Sequence, residues 1–247
     1  MFAVKILYED EAVLVAFKPA GLPMHTNLDT ERTNFVDLLQ KELTERDGQP
    51  GYLGTHQRLD LGTSGLVIFT RCQAANASLA KQFFEHSLSK IYLTIVAAHG
   101  HLASKEWDCR YALGEPDKRG GAVRWRHNPK TSDPGFKEAW THFTLKKRKH
   151  GLLLLQAELK SGRKHQIRAH LAAQKMPILG DTLYGGADKI EIEGTVLPVG
   201  RPLLHAYALK FIHPLTGEPL QIFAPLPTDF VNIMTVAELG EVKNYET

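Results

Sequence analysis

Two short polar segments of this 247-residue chain hold most of the side chains whose types and spacing could do chemistry. The first, Thr55-His56-Gln57-Arg58-Leu59-Asp60-Leu61-Gly62-Thr63-Ser64-Gly65, runs straight into the apolar stretch from Leu66 to Phe69. Polar groups placed where a loop meets a buried strand are held firmly at the base and still reach a ligand at the tip. Asp60 therefore reads in two ways, as a turn residue bonding the amides of Gly62 or Thr63 or as a carboxylate that meets a ligand. The second segment, Ser161-Gly162-Arg163-Lys164-His165-Gln166-Ile167-Arg168-Ala169-His170-Leu171, crowds cations and an amide around a helix start. Cations at the end of a helix whose dipole is already positive are unfavourable alone, so the crowding asks for a phosphate or a carboxylate nearby.

Other chemistries fail on spacing. No Gly-Lys-Ser or Gly-Lys-Thr occurs, and Gly48, Gly51 and Gly54 do not form a dinucleotide fingerprint, which disfavours nucleotide cofactors. Cys72 and Cys109 lie 37 positions apart, and His165 and His170 lie five apart where one helical face needs four, so no metal site is expected. Ser64 sits in Gly62-Thr63-Ser64-Gly65-Leu66, which has Leu66 where a nucleophile elbow needs glycine. The two cysteines read as free thiols in a reducing compartment.

The elements that must position these segments are strands and helices in irregular alternation. Strands are expected at 13–17, 65–70, 90–97, 151–159 and 204–211, from short apolar or alternating runs. In the third of these Ile91, Leu93 and Ile95 share one face and Tyr92, Thr94 and Val96 the other. Helices are expected at 33–46, capped by Thr33 or Asn34 with Phe35, Leu39 and Leu43 inward, at 73–87 with Ala75, Leu79 and Phe83 inward, and near 165–174. A shorter helix is expected around 230–239, before a frayed end. The glycines and prolines from 99 to 137 suggest a hinge or an extended insertion containing hairpins. The pattern is α+β in one catalytic domain.

Hydrophobic residues make up 43% of the chain and charged ones 23%, which rules out a disordered or collagen-like protein. No run approaches the roughly 18 apolar residues of a membrane span, and the first ten residues lack signal-peptide character, so a cytoplasmic protein without a membrane partner is expected. The net charge of +3 hides a division: residues 104–175 hold 17 Lys or Arg against 7 Asp or Glu, and the remainder is net negative. Segregated positive charge is the footprint expected of a protein whose partner is a polyphosphate chain.

Six motifs in order then narrow the reading: Arg58-Leu59-Asp60 with Thr63-Ser64-Gly65-Leu66; Lys90-Ile91-Tyr92; Gly162 through Leu171; Pro177-Ile178-Leu179-Gly180-Asp181 with Tyr184-Gly185; Leu204-His205-Ala206; and Phe211 with His213-Pro214. Together with Leu7-Tyr8-Glu9-Asp10-Glu11 and Lys18-Pro19-Ala20-Gly21 they resemble the RluA-type RNA pseudouridine synthases from about Ile6 to Phe230. The resemblance implies a largely antiparallel mixed sheet flanked by helices and loops, with the active-site cleft across the sheet. It implies a single catalytic domain over 1–247 without the N-terminal S4 domain of many relatives and with no metal or organic cofactor; a monomer is expected. The implied reaction breaks the N1–C1′ bond of a uridine in ribosomal or transfer RNA, turns the uracil, and joins C5 to C1′.

By the same resemblance Asp60 is the essential carboxylate, as nucleophile at the sugar or as base toward a ribose proton. Arg168 is its ionic partner, and Tyr92 stacks on the base and transfers the late proton. Arg58 would fill the space left by the extruded uridine. Arg163, Lys164, His165 and Gln166 would contact RNA, with Lys146 to Lys149 and the arginines around Trp125 tracking phosphates. Departures are Gln57 where a histidine is usual, Leu61-Gly62 where polar residues are usual, and Lys164 in place of threonine. The competing reading is an RNA-binding assembly factor on the same fold, without essential catalysis.

Overall fold

The computed structural model describes residues 4–25, 33–97, 104–116, 121–127 and 135–240. They fall into two compact units, Met1–Lys90 with Ala206–Pro225, and Ile91–His205 with Leu226–Thr247.

The first unit begins with β1 (Lys5–Glu9) and β2 (Val13–Lys18), followed by α1 (Phe35–Asp47), β3 (Gly54–Thr55), β4 (Ser64–Thr70) and α2 (Asn76–Phe84). β2 pairs antiparallel with both β1 and β4, and β3 pairs with the far end of β4. All seven residues of β4 are buried, because both faces of this sheet are covered. Val15 and Ile68 pack with Leu79 of α2, while Phe69, pointing the other way, lies 6.2 Å from the Phe35 ring of α1. The Asn34 side chain accepts the Asp37 amide at the start of α1, and left-handed Gly48 ends the helix, as the 33–46 expectation requires. The helix expected over 73–87 is a 3₁₀ turn (Gln73–Ala75) followed by α2; it stops at Phe84 because His86 takes a left-handed conformation.

In the second unit β5 (Ser89–Ala97), β6 (Glu106–Cys109), β10 (Thr141–Lys149) and β11 (Leu152–Leu159) form an antiparallel sheet in the order β5-β11-β10-β6. A smaller sheet, in the order β8-β7-β9, holds β7 (Ala112–Gly114), β8 (Arg124–Arg126) and β9 (Phe136–Lys137). These strands supply the hairpins expected between 99 and 137; positions 99–103, 117–120 and 128–134 lie outside the described residues. Helix α3 (Gln166–Ala173) and the hairpin β12 (Lys189–Ile192) to β13 (Thr195–Pro198) follow. The chain then returns to the first unit, which holds most of β14 (Leu204–Ile212) and all of β15 (Pro219–Phe223), paired antiparallel, before α4 (Thr228–Val236) ends in the second. The expected frayed end, 241–247, lies outside the described residues.

The expected α+β class, helices beside largely antiparallel sheets, is the observed one. Cys72 and Cys109 are free thiols. Among the described residues no helix is long and apolar enough to cross a membrane.

Candidate active site

The first unit holds Arg58 and Asp60 in the loop from β3 to β4, and three anchors fix that loop. Gln57 donates its amide to the Leu66 carbonyl at 3.1 Å, so the glutamine standing in the usual histidine position ties the loop back to β4. Gly21 donates its backbone N–H to the Leu61 carbonyl at 2.8 Å, and Thr63 donates to the Asp60 carbonyl at 3.1 Å. Between these anchors Leu59 is buried, Asp60 is half-buried and Arg58 is exposed.

Lys18, from the Lys18-Pro19-Ala20-Gly21 motif, supplies a further support that its position in the sequence does not announce. Its side chain is fully buried, and Nζ donates to the carbonyls of Leu22 at 2.8 Å and Pro19 at 2.9 Å, reaching the Leu61 carbonyl at 3.5 Å. One ammonium thus binds the 19–22 turn and faces the residue after Asp60. Such a buried charge is tolerated because backbone oxygens replace its water. His25 also belongs to this side: burial and then the Arg58 charge push its imidazole below the usual range, against a smaller pull from Asp37.

The second unit holds Tyr92, Arg163, Lys164, His165, Gln166 and Arg168. Tyr92 is buried on β5 opposite Ala157 of β11, whose small side chain leaves room for the ring on that face. Arg168 is buried on α3 and makes a bidentate ion pair with Asp181, Nε to Oδ2 at 2.6 Å and Nη2 to Oδ1 at 2.8 Å. Its guanidinium also lies 5.0 Å from the centre of the Tyr184 ring. One carboxylate that the crowded cations of α3 asked for is therefore supplied by the chain itself. In the sequence Asp181 and Tyr184 stand out only as members of the motif from Pro177 to Gly185.

Around the start of α3 the structure separates residues that the sequence grouped. Arg163 and Lys164 are exposed and precede the helix, which begins at Gln166. His165 is half-buried, left-handed, and shares a 3.0 Å hydrogen bond through Nδ1 with the Tyr184 hydroxyl. Gln166, by contrast, is buried and its amide is engaged on both sides within the chain. Oε1 accepts from the Ser161 hydroxyl and the Arg163 amide, and Nε2 donates to the Trp140 carbonyl and to Thr141 Oγ1, all within 2.8–3.0 Å. That geometry gives Gln166 the work of positioning the helix start.

The network continues inward. His170 is fully buried, with Nε2 donating to the Tyr111 carbonyl at 3.0 Å and Nδ1 left to accept the Thr141 hydroxyl at 2.9 Å. Burial pushes its pKa down to about 4, so the ring is neutral near neutrality. A helix of eight residues with six consecutive buried positions, including arginine and histidine, is held by these bonds as much as by apolar packing. Among the described residues no group of three or more His, Cys, Asp or Glu is placed to hold a metal ion.

The sequence model of the RNA pseudouridylate synthase family matches residues 12–173, a span that includes Asp60, Tyr92 and Arg168. The chain belongs to that family. As a pseudouridine synthase it is an isomerase. It is 35% identical over 237 residues to the ribosomal large subunit pseudouridine synthase D of Xanthomonas campestris, covering 93% of this chain and 68% of that protein. It is 33% identical to the uncharacterized RNA pseudouridine synthase YhcT of Bacillus subtilis, covering 92% and 70% of the two chains. Among solved structures, human RNA pseudouridylate synthase domain containing 4 shares the fold with a TM-score of 0.75 at 22% identity, covering 96% of this synthase and 94% of that chain.

Proposed function

We propose that the synthase converts specific uridines of structured RNA to pseudouridine, using the Asp60 carboxylate on a uridine turned out of its stack. Ribosomal RNA is the first substrate to test, because the printed name of the 35% identical relative from Xanthomonas campestris assigns that protein to the large ribosomal subunit. Transfer RNA is the second. The observation that carries the reading is the family match over residues 12–173, combined with the anchoring of the Asp60 loop at Gln57, Lys18 and Gly21. A catalytic carboxylate has to be held in place before substrate arrives, and those bonds do that work.

In this account Asp60 acts as nucleophile at C1′ or as base toward a ribose proton, and the N1–C1′ bond breaks. The released uracil turns and C5 joins C1′, which frees the Asp60 carboxylate from C1′ or returns the ribose proton it took, and the proton lost from C5 is balanced by one gained at N1. Arg168 favours the charged form of Asp60, and Tyr92 stacks on the base and carries the late proton. Arg58, exposed beside Asp60, offsets the few kcal/mol, roughly, that unstacking the uridine costs. Arg163, Lys164 and His165 meet the RNA, and Gln166 holds them in register. The synthase acts as a cytoplasmic monomer without a cofactor.

Pseudouridine profiling of all RNAs from cells with and without the gene tests the proposal. Loss of one or more positions from ribosomal or transfer RNA is expected; an unchanged profile would end it.

A further inference from the structure

The small sheet β8-β7-β9 carries an arrangement that neither the fold nor the Asp60 chemistry requires. On β8 Arg124, Trp125 and Arg126 are all exposed. Register places Arg124 beside Gly114 and Phe136 beside the same glycine, so the two side chains share a face, and Arg126, two residues on, shares it too. Both guanidiniums lie over the Phe136 ring, at 5.2 and 4.7 Å from its centre. A Cβ at Gly114 would lie 3.1 Å from both the Phe136 ring and the Gly135 carbonyl oxygen, so the glycine lets the ring lie close to the strand. On the opposite face the Trp125 indole stacks on Tyr111 at 5.6 Å with 22° between the planes, and 46% of it is exposed. His127 meets Tyr111 edge-on at 4.9 Å, and nearby Arg110 lies 3.9 Å over the half-exposed Trp140.

This surface is firmly mounted. Leu113 and Val123 pack with Ala139 and with Ala169 of α3, Val123 donates its N–H to the Tyr184 hydroxyl, and the Tyr111 carbonyl accepts from His170. The platform is therefore braced by the helix that carries Arg168 and by the tyrosine that Arg168 covers.

We propose that RNA crosses the edge strand β8 and seats an unpaired nucleotide there, the base stacking on Trp125 on one side of the strand and the neighbouring phosphates meeting Arg124 and Arg126 on the other. The inference rests on the reading that the synthase acts on RNA. Planar rings interleaved with guanidiniums suit a polyanion that also has flat faces, and a duplex keeps those faces covered. Rings already stacked and arginines already laid on Phe136 lose little freedom on binding.

Fluorescence anisotropy of the full chain with a labelled ten-nucleotide oligouridylate, and with a blunt RNA duplex, tests it at two salt concentrations. Trp125→Ala should weaken the single strand about tenfold at both salts while leaving the duplex within about twofold, and Trp125→Phe should restore most of the loss. Arg124→Gln with Arg126→Gln should flatten the salt dependence by about one unit of log K per log salt. Single-strand binding by Trp125→Ala within about twofold of the parent, or displacement of the oligouridylate by polyglutamate at lower concentration than by unlabelled RNA, would overturn the proposal. Parallel assay of pseudouridine formation by the parent separates the two ideas. An active parent with a silent Trp125→Ala binding change removes only the platform, and an inactive parent that still binds through Trp125 removes only the catalytic reading.

Discussion

Arg168 and Asp181 face each other with two parallel hydrogen bonds of 2.6 and 2.8 Å, the arginine side chain 10% exposed and the aspartate 1%. Bidentate geometry fixes the plane of a guanidinium as well as its position. Asp181, eight residues beyond the end of the helix that carries Arg168, is thus the residue that orients it.

Removing one partner of such a pair strands the other charge in a dry site. Asp181→Ala should cost about 3–5 kcal/mol in urea unfolding. Asp181→Asn, which keeps one acceptor oxygen, should cost less and still lower turnover. Equal stability of parent and Asp181→Ala would show that the pair contributes nothing to holding Arg168.

Lys18 makes a parallel case in the first unit. Lys18→Met leaves the carbonyls of Leu22 and Pro19 without their ammonium, at about 1–3 kcal/mol. Because the same ammonium faces Leu61, next to Asp60, kcat should fall about tenfold or more while KM changes little. A rise in KM with unchanged kcat would assign Lys18 to RNA binding instead.

Gly65 has a φ of +117°, and a Cβ there would lie well inside contact with the backbone of Ala206 on β14. Gly65→Ala should therefore destabilise by about 3 kcal/mol, read as a lowered urea midpoint with an unchanged slope. A neutral substitution would mean that β4 and β14 separate without cost.

His170 gives the fold a pH dependence with a definite sign. Its folded pKa of about 4 lies below the ordinary histidine value of 6.5, so the unfolded chain takes up the proton first. Its contribution to stability is complete above pH 6.5 and is lost as the pH falls toward 4, by about 3 kcal/mol. Urea unfolding at pH 7.5, 5.5 and 4.5 should show this slope, and His170→Gln should flatten it. Equal slopes would place the titration elsewhere.

How far the sequence foretold these features depends on which force shapes each element. Helix α1 and strands β2, β4, β5 and β11 were legible because apolar side chains set them: Phe35, Leu39 and Leu43 recur with helical spacing, and β4 is buried on both faces. Strand β10 was not. Thr141, Phe143 and Leu145 alternate, but a bulge after Leu145 and the cations Lys146 to Lys149 make its second half read as a solvated run. The hairpin β12 to β13 had a readable signal, Glu193-Gly194, both with positive φ as a two-residue turn needs. Within the site, Arg168 and Gln166 were recognisable by type, but their partners Asp181 and Thr141 were not, because hydrogen bonds between separate segments leave no periodicity. The aromatic and arginine residues around Trp125 were visible as a basic stretch, while their stacking required the register of three short strands.

The proposed chemistry turns on the Asp60 carboxylate. Purified parent and Asp60→Asn should be incubated with total RNA from cells lacking the gene, and pseudouridine measured by mass spectrometry. The parent should restore the missing pseudouridine, and Asp60→Asn, folded and binding RNA like the parent, should restore none. Restoration by Asp60→Asn at a rate near the parent's would contradict that chemistry.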